Sequence, residues 1–144
     1  MQTVPVANAD RDVRYFRTSE VSLISGMSLR VLQWMDEQGG LVKPVLQGHT
    51  RLWAPWQVLG CCVIAQLKRK GYSNQQIRRM WRDLRAEQIA HGDYLLAGGK
   101  HFAITEDPVE FIRSHNGRSG WVLVDLVELR RRIRRHIAGA EHHA

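Results

Sequence analysis

The run TSEVSLISGMSLRVLQWMDEQGGLVKPVLQGHTRLW, from Thr18 to Trp53, holds two short helical patterns split by one glycine, then two extended patterns around another. Thr18 and Ser19 offer hydroxyls that accept a backbone N–H at a helix start, and Glu20 suits the positive end of the first turn. Val21 and Ile24 are three apart and face one side. Gly26 breaks that helix and Ser28 offers a second cap. The second helix is predicted over residues 28–38. Leu32 and Met35 point inward, while Arg30, Gln33, Trp34 and Glu37 share the other face. Helix, glycine turn and helix form the helix-turn-helix pattern. An exposed Arg, Gln and Trp suit groove reading: Arg pairs with guanine or phosphate, Gln with adenine, and the indole N–H with phosphate. The plainer reading keeps Trp34 as a core residue and Arg30 as solvated surface. Gly39 and Gly40 end the helix. A β-hairpin over residues 44–53 follows, with Gln47-Gly48-His49 at its tip. Alternation predicts Leu52 inward, with Arg51 and Trp53 on the opposite face. Pro55 then opens a further helix.

The ordered pieces Glu20-Val21, Ser28-Leu29-Arg30-Val31-Leu32-Gln33-Trp34-Met35-Asp36, Gly40-Leu41-Val42-Lys43-Pro44 and Arg51-Leu52-Trp53 resemble the N-terminal winged-helix domain of MerR-family transcriptional regulators. The resemblance covers about residues 15–85. Gln33 replaces a usual Arg, Trp34 and Met35 replace two tyrosines, and Thr50 and Trp53 replace the wing tyrosines. The change at Gln33 loses one phosphate-binding cation. The resemblance implies double-stranded DNA as partner, the helix of residues 28–38 in the major groove and the wing of residues 44–53 on flanking phosphates. The contact set it implies, together with the residue chemistry, is Thr18, Ser19, Ser28, Arg30, Gln33, Trp34, Lys43, His49, Arg51 and Trp53. Family members act as dimers on inverted repeats, which implies a homodimer by analogy. The chain departs from the family after His91, where a long dimerising helix would stand.

A chain of 144 residues, 44% hydrophobic and 24% charged, has the makings of a real core and is not a disordered polymer. Its net charge of +7 suits a polyanion partner. The placing of that charge is sharper: residues 11–92 hold 13 Lys/Arg against 6 Asp/Glu, while residues 93–128 hold 3 against 6. No apolar run approaches membrane-spanning length, and no secretory signal pattern opens the chain. The only cysteines, Cys61 and Cys62, are neighbours in an apolar helix, which predicts buried, reduced thiols and a cytoplasmic setting.

The expected fold is mainly α with small β: a flexible tail over 1–14, a winged helix-turn-helix domain over 15–92 and a small α/β subdomain over 93–144. Pro55–Lys70 reads as a central helix, and Ser73 caps a helix predicted to run through His91 with Ile77, Met80, Trp81 and Leu84 inward. Tyr94–Ala97 and Lys100–Ile104 flank a Gly98-Gly99 turn, Asp107 or Thr105 caps a short helix, and Trp121–Val124 is strand-like. Asp125 caps a last helix that Gly139 can end. Its run Arg130-Arg131-Arg132-Ile133-Arg134-Arg135-His136 reads as a solvated face or as a polyanion contact. His101, Glu106, Asp107, Glu110 and His115 lack ligand or catalytic spacing, so neither an enzyme, a metal nor a cofactor is expected. Residues 94–125 are open to a protein partner or a small-molecule effector. Two alternatives share the winged helix: an antitoxin-like or adaptor interaction module, and an excisionase-like architectural DNA binder.

Overall fold

The structure is a computed structural model describing residues 14–37, 42, 44–84, 86–98, 101–115 and 120–143. Residues 1–13 of the expected tail, the expected Gly39-Gly40 stop, Lys43, Arg85, Gly99 of the expected Gly98-Gly99 turn, Lys100 and residues 116–119 of the expected loop lie outside the described residues.

The chain is mainly helical with two small sheets. It opens with a two-residue strand β1 (Phe16–Arg17), followed by helices α1 (Thr18–Ser25) and α2 (Leu29–Glu37). The turn between the helices is heavily tied. Gly26 adopts φ +81° and its N–H donates to Ser22 O at 2.9 Å, a glycine helix stop. Ser22 Oγ donates to Met27 O at 2.6 Å, and Ser25 Oγ donates to Val21 O at 2.7 Å while accepting the Met27 N–H. The next helix starts as expected, with Ser28 Oγ accepting the Val31 N–H at 3.1 Å.

Strands β2 (Val45–Gln47) and β3 (Thr50–Trp53) form the predicted hairpin, with Gly48 at φ +63° in its tip. β1 adds a third strand that the alternation argument did not include. Its register sets Phe16 opposite Trp53 and Arg17 opposite Leu52. Directly paired residues share a face. Phe16 and Trp53 are both 0% exposed, so the inward face of β3 is the one carrying Trp53. The expectation of an inward Leu52 and an outward Trp53 is therefore corrected.

Helix α3 (Pro55–Arg69) is the centre of the molecule, buried almost all round from Gln57 to Ala65 and again at Leu67. Lys70 and Gly71 end it, and Ser73 caps α4 (Asn74–Trp81) by accepting the Gln76 N–H at 3.1 Å. The single helix predicted through His91 is divided. Asp83 N–H bonds Met80 O and Leu84 N–H bonds Trp81 O, a tight turn that interrupts the helical ladder before α5 (Ala86–His91).

The second sheet has the order β5-β4-β6, built from β4 (Tyr94–Gly98), β5 (His101–Thr105) and β6 (Val122–Asp125), all antiparallel. Between β5 and β6 lies α6 (Pro108–Ser114), capped by Asp107 Oδ1 accepting the Glu110 N–H. The last helix, α7 (Leu126–His143), is capped by Asp125 as predicted and passes Gly139 without stopping. Leu126, Leu129 and Ile133 turn its apolar stripe onto α3, α1 and β4. The two sheets consequently share one core, running from Phe16 through α3 to Val124 and Ile133. Among the described residues no helix is long and apolar enough to cross a membrane.

Candidate nucleic-acid interface

The exposed side of α2 is where the sequence-predicted residues converge. Arg30, Gln33 and Trp34 are all exposed there; Trp34 is 43% accessible, which removes it from the core. Arg30 and Trp34 line a concavity of about 260 Å³ with Val31, Lys68 and Asn74. Lys68 comes from the last turn of α3 and Asn74 from the first residue of α4. Three elements thus bring a guanidinium, an ammonium, an amide and an indole edge around one hollow. Ser28 lies at the start of the same helix, its hydroxyl spent on its own cap.

The wing carries the remaining residues. His49 is exposed at the tip, and Arg51 is half-buried and engaged. Val45 and Leu46 are also exposed, at 50% and 61%, so the outer wing surface is apolar as well as polar. Lys43 lies outside the described residues.

Two expected contact residues have other work. Trp53 is fully buried, and its indole N–H donates to Thr18 Oγ1 at 3.0 Å. The bond pins the end of the wing to the first residue of α1. Thr18 is itself the first helical residue and Arg17 holds the cap position, so Thr18 does not cap α1. The cap is made from the third helical residue instead, where Glu20 Oε1 accepts the Arg17 N–H at 3.0 Å. Ser19 is exposed.

Glu20 is the electrostatic node of the region. Burial works against its charge. The hydrogen bond from the Arg17 backbone, those from His136 and Arg14, and the Arg14 charge outweigh that burial, and hold its carboxyl below the usual carboxylate range. Arg14 Nη2 and His136 Nε2 each lie 3.3 Å from Glu20 Oε2. His136 belongs to α7, so the last helix reaches the cap of the first.

Part of the arginine run on α7 is used in this docking. Arg132 donates to Ile24 O at 3.4 Å, and Arg69 of α3 donates to Ser25 O at 3.3 Å. Both guanidiniums meet the C-terminal carbonyls of α1, where the helix dipole favours cations. Arg130 donates to Ile89 O at 3.2 Å, while Arg131 and Arg135 close on Glu128 at 3.1 and 2.9 Å. Arg134 is exposed.

Residue chemistry put Arg30, Gln33 and Trp34 on the exposed face of α2, as they stand, and did not single out Asn74 beside them. The available signal was its place one residue after the Ser73 cap, in the turn that brings α4 beside Lys68. Cys61 and Cys62 belong to the core. Burial drives the Cys61 thiol far above its ordinary range. Burial also pushes Cys62 up to about 11, against the pull of Arg132 and Arg69. Protonated, buried thiols are poor nucleophiles and poor metal ligands. Among the described residues no group of three His, Cys, Asp or Glu side chains is placed to hold a metal ion.

Comparison with known families matches residues 16–84 to the MerR HTH family regulatory proteins. No curated protein matches the chain.

Proposed function

The chain carries, over residues 16–84, the DNA-binding domain of the MerR helix-turn-helix regulatory family, and from that premise we propose sequence-specific recognition of double-stranded DNA. Helix 28–38 enters the major groove and the wing of residues 44–53 follows the flanking phosphates. Residues 15–92 form the DNA-binding unit in this reading, with 93–144 as its α/β companion. The observation that carries it is the hollow shared by Arg30, Trp34, Lys68 and Asn74. Arg30 and Gln33 face base edges, and Trp34, Lys68, Lys43, His49 and Arg51 meet phosphates. Asn74 sits at the N-terminus of α4, whose partial positive charge favours a phosphate. Trp53 and Thr18 hold the wing in register and leave the contact set. Recognition of an inverted repeat by a homodimer is part of the proposal.

The test is selection from a random duplex library at near-physiological salt, with wild type, Arg30→Ala and Lys68→Ala in parallel. Wild type is expected to enrich one motif. Arg30→Ala relaxes that motif at one or two positions, a loss of about 1–3 kcal/mol of discrimination. Lys68→Ala weakens all sequences alike and lowers the slope of log K against log salt by about 0.9. A motif that is an inverted repeat supports the homodimer; a single site removes it. No enrichment, with both variants unchanged in affinity, overturns the reading.

A further inference from the structure

On the side of α3 away from the Arg30 hollow, a second cavity of about 360 Å³ opens between the start of α3 and the middle of α7. Its walls are apolar: Leu59 and Ile133 are buried beneath it, and the indole of Trp56 stands beside it at 51% exposure. Its polar groups are all of one sign. Arg14, Arg130 and Arg134 line it, and no carboxylate does among the described residues. Arg14 shares one nitrogen with Glu20, yet its Nε is buried with no hydrogen-bond partner among the described residues. Arg130 spends one nitrogen on Ile89 O. Arg134 makes no hydrogen bond or ion pair among the described residues. Arg130 and Arg134 add two positive charges beside the Arg14–Glu20 pair, and N–H donors of Arg14 and Arg134 stay without a protein acceptor among the described residues. An anion removes both costs, and a planar carboxylate matches the guanidinium fork.

We propose that this cavity binds a small organic carboxylate with a flat apolar body. The body lies against Trp56, Leu59 and Ile133, and the carboxylate meets Arg134 and the free donors of Arg14 and Arg130. The volume falls in the range of small-molecule pockets, about 300–1,000 Å³. A bare phosphate has nothing to offer the apolar walls, and an apolar ligand leaves Arg130 and Arg134 without a carboxylate among the described residues. Among the described residues the cavity shares no lining residue with the Arg30 hollow, so this site stands or falls apart from the DNA-binding reading. It also lies outside residues 94–125, where the sequence left room for an effector.

The experiment is isothermal titration of the full chain, without DNA, with 2-naphthoate, 2-naphthamide and acetate. Naphthoate is expected to bind, and the neutral amide and the bodiless acetate each to bind about tenfold more weakly or worse, the scale of one charge-assisted hydrogen bond. Arg134→Gln weakens naphthoate about tenfold on the same scale and leaves the amide alone, whereas Arg131→Gln, whose partner is Glu128, changes neither. Trp56→Ala weakens the acid and the amide together. Equal binding of acid and amide overturns the proposal without any variant being needed. So does naphthoate binding that survives Arg134→Gln, or no naphthoate heat up to about 5 mM, a concentration at which even millimolar affinity registers.

Discussion

Trp53→Phe removes two things at one place. The indole N–H of Trp53 donates to Thr18 Oγ1 at 3.0 Å, and the ring is fully buried opposite Phe16. A hydrogen bond of this kind contributes about 1 kcal/mol net. The smaller ring gives up roughly 40 Å² of buried surface, about another 1 kcal/mol at ~25 cal/mol per Å². The expected loss is therefore about 2 kcal/mol, which for 144 residues is a fall in Tm of roughly 6–7 °C. Thr18→Val keeps the volume and strands the buried indole N–H, costing about 1–3 kcal/mol. Once the indole is gone the hydroxyl has nothing to accept, so the double variant loses less than the sum of the two singles. The coupling is expected to be about 1 kcal/mol, above the scatter of independent sites. The assay is urea and thermal unfolding of the four proteins by circular dichroism, with the affinity of each folded protein for a selected duplex measured alongside. Affinity per folded molecule should hardly change. If the two losses add within about 0.3 kcal/mol, or if Trp53→Phe leaves Tm alone and weakens DNA binding, the buried assignment of Trp53 is wrong.

Glu20 gains its charge more readily in the folded chain than in the unfolded one. Its contribution is fully present above the ordinary glutamate value near about 4.3 and fades as pH falls through the lowered folded value. Glu20→Gln should thus lose more stability at pH 7 than at pH 3, read as the gap between urea midpoints; an equal gap at both refutes the charge argument. Gly26→Ala meets φ +81° and sets a methyl 2.5 Å from Arg69 Nη2. The left-handed backbone alone costs about 1–2 kcal/mol, so the loss should persist in an Arg69→Ala background, and full recovery there would show that only the clash mattered. A disulfide reagent at pH 8 meets a Cys62 thiol pushed up to about 11. Labelling of the folded chain should be slower than in urea by on the order of a hundredfold, and equal rates would mean exposed thiols.

The features legible in the sequence are those set within a few residues. Gly26, Ser28, Gly48, Pro55, Ser73, Asp107 and Asp125 act where the chain is read locally, because capping and positive φ involve neighbours alone. The exposed face of α2 was legible for the same reason, since helical spacing puts Arg30, Gln33 and Trp34 together. The inward face of β3 was not. Alternation offers two faces and does not say which one a distant strand will claim. A two-residue strand at Phe16 is too short to show any period, yet its pairing with Trp53 reverses the choice. The break after Trp81 was illegible for a related reason: residues 82–84 contain no glycine or proline, and the turn follows from tertiary packing of Leu84 on the core.

The arginine run of α7 shows how composition misdirects when tertiary partners are unseen. A basic amphipathic helix with a surplus of arginines invites a polyanion as its partner. In the folded chain the acceptors are internal: Ile89 O, Ile24 O and the Glu128 carboxylate. Ile24 is 108 residues away from Arg132, a separation no local pattern reaches. Carbonyls at the end of a helix carry no formal charge and do not appear in any count of acids, so all but Arg134 of the run looked unpaired when they were not. Arg132 and Arg69 together fill the C-terminal end of α1, and His136 reaches the Glu20 cap at its N-terminal end. Both ends of the first recognition-domain helix are therefore held from outside the family-matched segment as well as from within it. A force that shifts α7 acts directly on α1, which packs beside α2.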